Sequence, residues 1–457
     1  MSNIDKVRAA LAIGFSGALI GTGDAAYEKA RSVMPGGIDL RPGLIARPKT
    51  AADVQRVVNA ARDHGIELAV RSGGHSAAGH SSVEGGLVLD LRDMNSVVVD
   101  AAGKSAWVET GATAIEVTRA VLEHELIVGF GDTGSVGVGG ITLGGGVGYL
   151  ARKWGLTIDS LLAAEIVTAD GALRMTSADE NADLFWALRG GGGNFGVVTR
   201  LKFALRELPE FTGGMLCLPA TAETVAGFVA AASTAPEELS TIANIMPAPA
   251  LPFLPKEAVG KPVILGMMAF AGAPDAAAAT LAPFRALATP YADFVKPGPY
   301  TQMYPPEDPD YHPTAVSRTL FMDRVERDEA ALMLEALATS DAVFRAVQIR
   351  VLGGAAARVP SDATAYAHRA APIMVNVAAF WTSPEDLRVR QTWVDALKVK
   401  LTQQTRGAYV NFLGDEGPER VREAYPAGTW ERLVQVKTKY DPRNLFRRNQ
   451  NVAPAAA

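Results

Sequence analysis

Three glycine-dense segments punctuate the first half of this chain, and they limit its fold more than any other feature. They are Arg71-Ser72-Gly73-Gly74-His75, residues 137–148 and residues 190–196. Glycine has no Cβ, so such segments enter left-handed conformations and let the backbone approach a ligand closely. A regular helix through them loses about 1 kcal/mol per glycine relative to alanine. The expected product is a set of short elements joined by tight turns.

The first segment follows an alternating stretch, Ile66-Glu67-Leu68-Ala69-Val70, which reads as a strand. A small-residue loop comes after it, containing Ser76, Gly79 and His80. Successive backbone N–H groups in such a turn form an anion nest, and Arg71 adds fixed positive charge. His75 is then held beside a phosphate-bearing cofactor. Read alone, the segment is equally a glycine-rich hairpin with a surface histidine. The second segment, with Gly139, Gly140, Gly145, Gly146 and Gly148, is too permissive for a core helix. Its N–H groups suit a pyrophosphate, and its bare backbone admits a flat ring.

The third segment contains Gly191-Gly192-Gly193-Asn194-Phe195-Gly196, which fits GxGxxG spacing. A dinucleotide-binding turn of that kind needs a strand before it and a helix after it. Here residues 182–189 read as a helix and residues 197–201 as a strand. The order is reversed, which argues against that nucleotide site.

Residues 40–70 read as strand, helix, strand. Thr50 is placed as N-cap and Asp53 at the third helical position, with Val54, Val57, Val58 and Ala61 on one face and Gly65 as the stop. Parallel pairing is expected in this β-α-β unit. Near Leu208-Pro209 the texture changes to Ala/Pro-rich helices and separate strands such as residues 263–268 and 346–351. That pattern suits an antiparallel sheet with helices on one face, so the fold class is α+β. The expected division is 1–208 for a cofactor domain (core about 37–208), 209–405 for a substrate domain, and 406–457 returning to the cofactor domain.

With 457 residues the chain can bury a large core, and a net charge of −5 argues against nucleic acid as a partner. A single cysteine, Cys217, precludes an intramolecular disulfide and fits a reducing cytoplasm. The apolar residues 9–20 follow Lys6 and Arg8 but lack a clear cleavage pattern, so they read as mature structure. No run of apolar residues is long enough to span a membrane. No His/Cys ligand set suggests a metal.

The Arg71–His75 segment resembles the histidyl-flavin loop of the berberine-bridge-enzyme-like oxidoreductases, within the vanillyl-alcohol-oxidase class. Residues 136–148, residues 183–199 and the tail with Tyr440-Asp441-Pro442 match that family in order. The resemblance implies a PCMH-type FAD-binding domain and FAD linked through His75. It puts Ser72, Gly73, Gly74, Ser76, Gly79 and His80 along the cofactor, with Ser135 in the next loop and Val198 beside the adenine side. Many members carry a second link from a cysteine; Thr133 stands at that position and cannot form a thioether. Attachment through His75 alone is expected.

The resemblance also implies candidate reaction groups. Val136 is expected near flavin C4a, where a small residue goes with oxidase behaviour; a merely packed valine is the other reading. Tyr409-Val410-Asn411-Phe412 matches the family's Y-x-N-Y, with Asn411 on the flavin's polar side. A regular strand there would put Tyr409 and Asn411 on one face. The last tyrosine is often the base, but Phe412 cannot take a proton. Tyr409 is therefore a candidate base or a buried structural tyrosine. Asn376 stands on a strand where some members have glutamate, and His368-Arg369 reads as an interface pair or a catalytic one. The leading expectation is an FAD oxidase acting on a small alcohol, sugar or amine and delivering electrons to O2. A dehydrogenase using another acceptor and a flavin-binding protein without turnover remain alternatives.

Overall fold

Thr50 starts the helix Ala51–His64. Its hydroxyl accepts the Asp53 N–H at 3.1 Å, and the Asp53 carboxylate accepts the Thr50 N–H at 3.2 Å. Such reciprocal capping contributes about 1 kcal/mol. Gly65 ends the helix at φ 61, a left-handed position that suits glycine. Val54, Val57, Val58 and Ala61 are fully buried, and they pack with Leu44, Leu68, Leu87 and Leu89. In this computed structural model, residues 2–308 and 310–456 are described.

The helix covers a four-stranded sheet ordered Ala18–Gly21, Leu44–Arg47, Leu87–Asp90, Leu68–Arg71. Leu44–Arg47 and Leu68–Arg71 are parallel as expected, but Leu87–Asp90 lies between them and pairs with both. The apolar N-terminal stretch is divided between the helix Asn3–Leu11, which buries Val7 and Leu11 in the same core, and the strand Ala18–Gly21. A second, five-stranded antiparallel sheet runs Val97–Asp100, Ser105–Glu109, Val197–Ala204, Leu161–Val167, Leu173–Ser177.

A large antiparallel sheet contains Thr212–Pro219, Pro262–Phe270, Leu239–Pro247, Arg345–Val351, Ile373–Phe380 and Ala315–Met322 in spatial order. Strand side chains alternate between faces. One face, with Ile245, Val347, Val375 and Val377, packs under the helices Ala222–Thr234, Pro274–Arg285, Arg327–Thr339 and Pro384–Leu401. On the other face Asn244, Gln348, Asn376 and Thr319 stand side by side in register. This polar row faces the cofactor-binding half. The α+β class with helices on one sheet face is the architecture found.

Two local expectations need correction. Residues 137–148 are not glycine loop throughout: Val138–Leu143 is a short helix. Packing overrides propensity there, because a Cβ on Gly139 would stand 2.9 Å from the Thr110 Cβ. Residues 409–412 are not a strand either; Val410–Phe412 forms a 3-10 turn. That turn breaks the alternation and lets both Asn411 and Phe412 reach the same space.

After the helix Ala427–Tyr440 the chain runs back across the helix-to-strand turn of residues 189–196. Asn194 donates to Gly191 O at 2.8 Å and Gln450 O at 3.1 Å, while its own Oδ1 accepts the Val452 N–H at 2.8 Å. The helix Ala182–Leu188 precedes these glycines and the strand Val197–Ala204 follows them. The order is the reverse of a dinucleotide-binding turn.

Candidate functional site

The three glycine segments converge on one cavity of about 400 Å³. That volume is in the range of small-molecule and cofactor pockets. Gly73 and Gly137 form its floor by packing back to back. A Cβ on Gly73 would fall 2.2 Å from the Gly137 N, so neither position tolerates a side chain. Ser72 fixes the turn by donating to Thr110 O at 2.5 Å. Ser72, Gly73, Gly74, His75, Ser76 and His80 all line the cavity.

The remaining expected residues divide into two groups. Thr133, Val136, Gly139, Gly140, Val198 and Asn411 reach the cavity, as do Tyr409 and Asn376. Arg71 does not. Its guanidinium is buried beneath the turn, donating to Ala30 O at 2.5 Å and Ser81 O at 3.0 Å, with Asp90 at 3.8 Å. It braces the loop rather than charging the nest. Burial lowers it to about 10, so it remains charged at neutral pH. Gly79 faces Ile38, Gly145 faces Tyr366, Gly146 faces Thr157 and Gly148 faces the Phe130 carbonyl. These four glycines permit close protein packing instead of ligand approach. Ser135 stands behind His75, with its Oγ 3.0 Å from the His75 Nε2.

Burial lowers the pKa of His75, partly offset by the charge of Glu307. Burial and the neighbouring Arg448 push His80 down to about 4. Both imidazoles are therefore neutral at pH 7. A neutral ring nitrogen has the lone pair that bond formation requires. Cys217 is buried in the other half of the chain, in a cluster with Met246 and Val263, and burial pushes its thiol up to about 11. It lies outside the cavity lining.

Tyr409 is bound into the surrounding backbone. Its hydroxyl oxygen accepts from Gly146 N at 3.0 Å, Val147 N at 3.3 Å and Asn411 Nδ2 at 3.0 Å. Burial nevertheless raises its pKa above the ordinary tyrosine value, so it remains a phenol. It clamps the loop after the short helix. His368 and Arg369 are likewise structural: His368 Nε2 is 3.0 Å from Glu423 O, and Arg369 pairs with Asp159 at 2.7 Å.

Three groups at the cavity escaped the sequence reading. Asp132 is the one carboxylate on the wall among the described residues. It accepts from Arg350 at 2.6 Å; Arg350 also donates to Gln348 Oε1 at 2.8 Å and lies over the Phe412 ring. Ser317 joins Asn376 at the sheet end. The tail supplies Arg448, Asn449 and Gln450. The dense polar run Arg447-Arg448-Asn449-Gln450-Asn451 is a local signal that could have drawn attention to the tail. No local pattern marks Asp132 or Ser317.

The chemistry of the wall fits FAD. A Cβ at Gly140 or Gly193 would meet nothing within 4 Å, so bare backbone faces open space there. Ser81 Oγ, Asn449 Oδ1 and Asn376 Oδ1 are buried without protein partners at the cavity lining. Buried polar atoms of this kind call for a hydrogen-bonding ligand or water. No cluster of His, Cys, Asp or Glu suited to a metal occurs among the described residues. No helix among them is long and apolar enough to cross a membrane.

Comparison with known proteins agrees with this geometry. The family model for the FAD binding domain matches residues 42–177, and the berberine and berberine-like model matches residues 408–453. The chain is 31% identical to (R)-6-hydroxynicotine oxidase of Paenarthrobacter nicotinovorans, over 97% of this chain and 98% of that one. The crystal structure of 6-hydroxy-D-nicotine oxidase from Arthrobacter nicotinovorans superposes with a TM-score of 0.85 at 28% identity, covering 97% of this chain and 99% of that one. Xylooligosaccharide oxidase from Myceliophthora thermophila, solved with xylobiose, gives a TM-score of 0.86 at 25% identity and covers 100% of both chains. The order of the glycine segments, the C-terminal tail and full-length similarity therefore agree: this chain belongs to the berberine-bridge-enzyme-like FAD-linked oxidoreductases.

Proposed function

We propose that this oxidoreductase is an oxidase of a small neutral molecule, with FAD attached through His75 alone. One observation carries the reading: His75, Val136 and Asn376 line a single cavity. When bound, FAD supplies the redox chemistry, accepting a hydride from a substrate C–H bond and passing two electrons to dioxygen to give hydrogen peroxide. The protein's contribution is position and proton handling.

The glycine floor and His75 hold the cofactor, while Ser81 and Asn449 offer it unpaired polar atoms. Thr133 leaves His75 as the single point of attachment. At the sheet end, Asn376 and Ser317 present an amide and a hydroxyl to the substrate. To Asp132, the one carboxylate on the wall among the described residues, we assign the proton that a hydroxyl or amine loses as hydride departs. Arg350 and its cation–π contact with Phe412 fix that carboxylate. Val136, half-buried and small, is the wall residue assigned here to admit dioxygen.

The similar proteins include oxidases named for a hydroxynicotine and for a xylooligosaccharide. A cyclic amine and a sugar are therefore both in the candidate set. The Asp132 charge is balanced by Arg350, and Asn376 and Ser317 add an amide and a hydroxyl, a set that favours an uncharged reacting group. A single cysteine fits a reducing cytoplasm.

The test is anaerobic bleaching of the bound flavin across alcohols, sugars and cyclic amines, followed by admission of air and a peroxide assay. Wild-type flavin should precipitate with the protein in acid, and His75→Ala should bind FAD but release it. Reduced enzyme that persists for minutes in air, yet reoxidises at once with an artificial acceptor, would make the chain a dehydrogenase. Failure of every reductant on the panel favours flavin binding without turnover.

A further inference from the structure

Glu307 belongs to the non-helical stretch after Met303, far along the chain from the glycine segments. It nevertheless reaches the loop behind His75. Its Oε1 accepts the Ser135 N–H at 3.0 Å, and its Oε2 accepts the Ser135 hydroxyl. Ser135 has one hydroxyl proton, and that proton points at Glu307. The contact between Ser135 Oγ and His75 Nε2, at 3.0 Å, must then be donated by the imidazole. His75 is thereby fixed as the tautomer with hydrogen on Nε2. The lone pair then lies on Nδ1, on a ring that lines the cavity.

From this geometry we infer that Ser135 and Glu307 form a proton relay for attachment of the flavin, directing the bond to His75 Nδ1 and carrying away the Nε2 proton. The inference rests on the covalent reading above. The new bond joins Nδ1 to the 8-methyl carbon of the flavin. That carbon loses one hydrogen as a proton, and the imidazole loses its Nε2 proton through Ser135 to Glu307. The flavin is left two electrons richer. Dioxygen takes those two electrons and two protons, giving hydrogen peroxide and oxidised, attached flavin.

The two ends of the relay differ in a way that suits the task. His75 is largely enclosed, whereas Glu307 is exposed. Attack by Nδ1 builds positive charge on the imidazole, and a carboxylate two hydrogen bonds away stabilises it. The exposed carboxylate then releases its proton to bulk water. Ser135 and Glu307 are positioning residues: they act through His75. They have no assigned part in substrate oxidation.

The test uses apoprotein from riboflavin-starved cells, mixed with FAD in air. Flavin that precipitates with the protein in acid is followed over time, beside FAD binding measured by fluorescence quenching. Wild type should attach its flavin fully. Ser135→Ala and Glu307→Gln should bind FAD but attach it at least tenfold more slowly, and Glu307→Asp should recover most of the rate. NMR of the wild-type flavopeptide should place the bond at Nδ1. Attachment by both variants at the wild-type rate, or a wild-type bond at Nε2, overturns the relay. Wild type that binds FAD yet never attaches it overturns the covalent reading itself. Variants that fail to bind FAD at all, while wild type attaches through Nε2, overturn the relay as well.

Discussion

The Lys437 ammonium lies 2.6 Å from the Asp441 carboxylate, and neither side chain has exposed surface. Lys437 also donates to Asn194 O at 2.8 Å and Phe446 O at 2.9 Å, so all three of its protons are used. Asp441 in turn accepts the backbone N–H groups of Leu445 and Phe446, each at 2.8 Å. The pair ties the tail, with its cavity residues Arg448 and Asn449, onto the glycine turn at Asn194.

Lys437→Met should therefore act on stability and cofactor retention together. It leaves Asp441 buried without its cation, a change that costs about 3–5 kcal/mol. The urea midpoint should fall accordingly, and non-covalently held FAD should dissociate faster. A variant with unchanged midpoint would show that the tail is held by its backbone contacts alone.

Val136→Leu tests the path of dioxygen. The substitution adds bulk on the cavity wall, so reoxidation of the reduced enzyme in air should slow by tenfold or more. Reduction by substrate under anaerobic conditions should change little. Each tenfold step corresponds to about 1.4 kcal/mol of barrier, a reasonable scale for one steric contact. Equal slowing of both half-reactions would mean that Val136 shapes the substrate site instead.

Asp132→Asn keeps the shape of the side chain and removes its charge. If Asp132 accepts the substrate proton, the anaerobic rate of flavin reduction should fall by about 10²–10⁴. Flavin content and the acid-stable fraction should remain as in wild type, since Asp132 has no assigned part in attachment. An unchanged reduction rate would remove it from the reaction.

His80 should give the protein an acid-side stability loss. Its folded pKa of about 4 lies below the ordinary histidine value, with burial as the main cause and Arg448 as the second. The unfolded chain therefore takes up the proton first as pH falls. The stabilising contribution is complete above about pH 6.5 and is lost as pH falls through about 4, a loss on the order of 3 kcal/mol. Urea denaturation at several pH values should show a flatter acid limb in His80→Asn.

Much of the cofactor site was legible because its signals are local. The Gly73-Gly74-His75 turn follows a strand and does line the cavity, and Thr50, Asp53 and Gly65 bound their helix where the pattern placed them. Arg71 misled because charge next to a nest looks like part of it; the direction of its side chain depends on carbonyls of residues 30, 31 and 81. The sequence leaves Tyr409 open between a base and a buried structural tyrosine for a related reason. The partners of its hydroxyl are the backbone N–H groups of Gly146 and Val147, more than 260 positions away, which no local pattern announces.

By itself the sequence determined the cofactor class, the α+β pattern and the lack of a cysteine beside His75. Glycine spacing, helix caps and strand alternation follow from backbone sterics and side-chain periodicity within a few residues. Only the tertiary structure decided which side chains share the cavity. Asp132 meets Arg350 across 218 positions, and Ser135 meets Glu307 across 172. Such pairs carry no local propensity. They exist because burying the sheet face and the glycine floor against each other brings the two halves of the chain into contact, and the polar groups caught between them must then find partners.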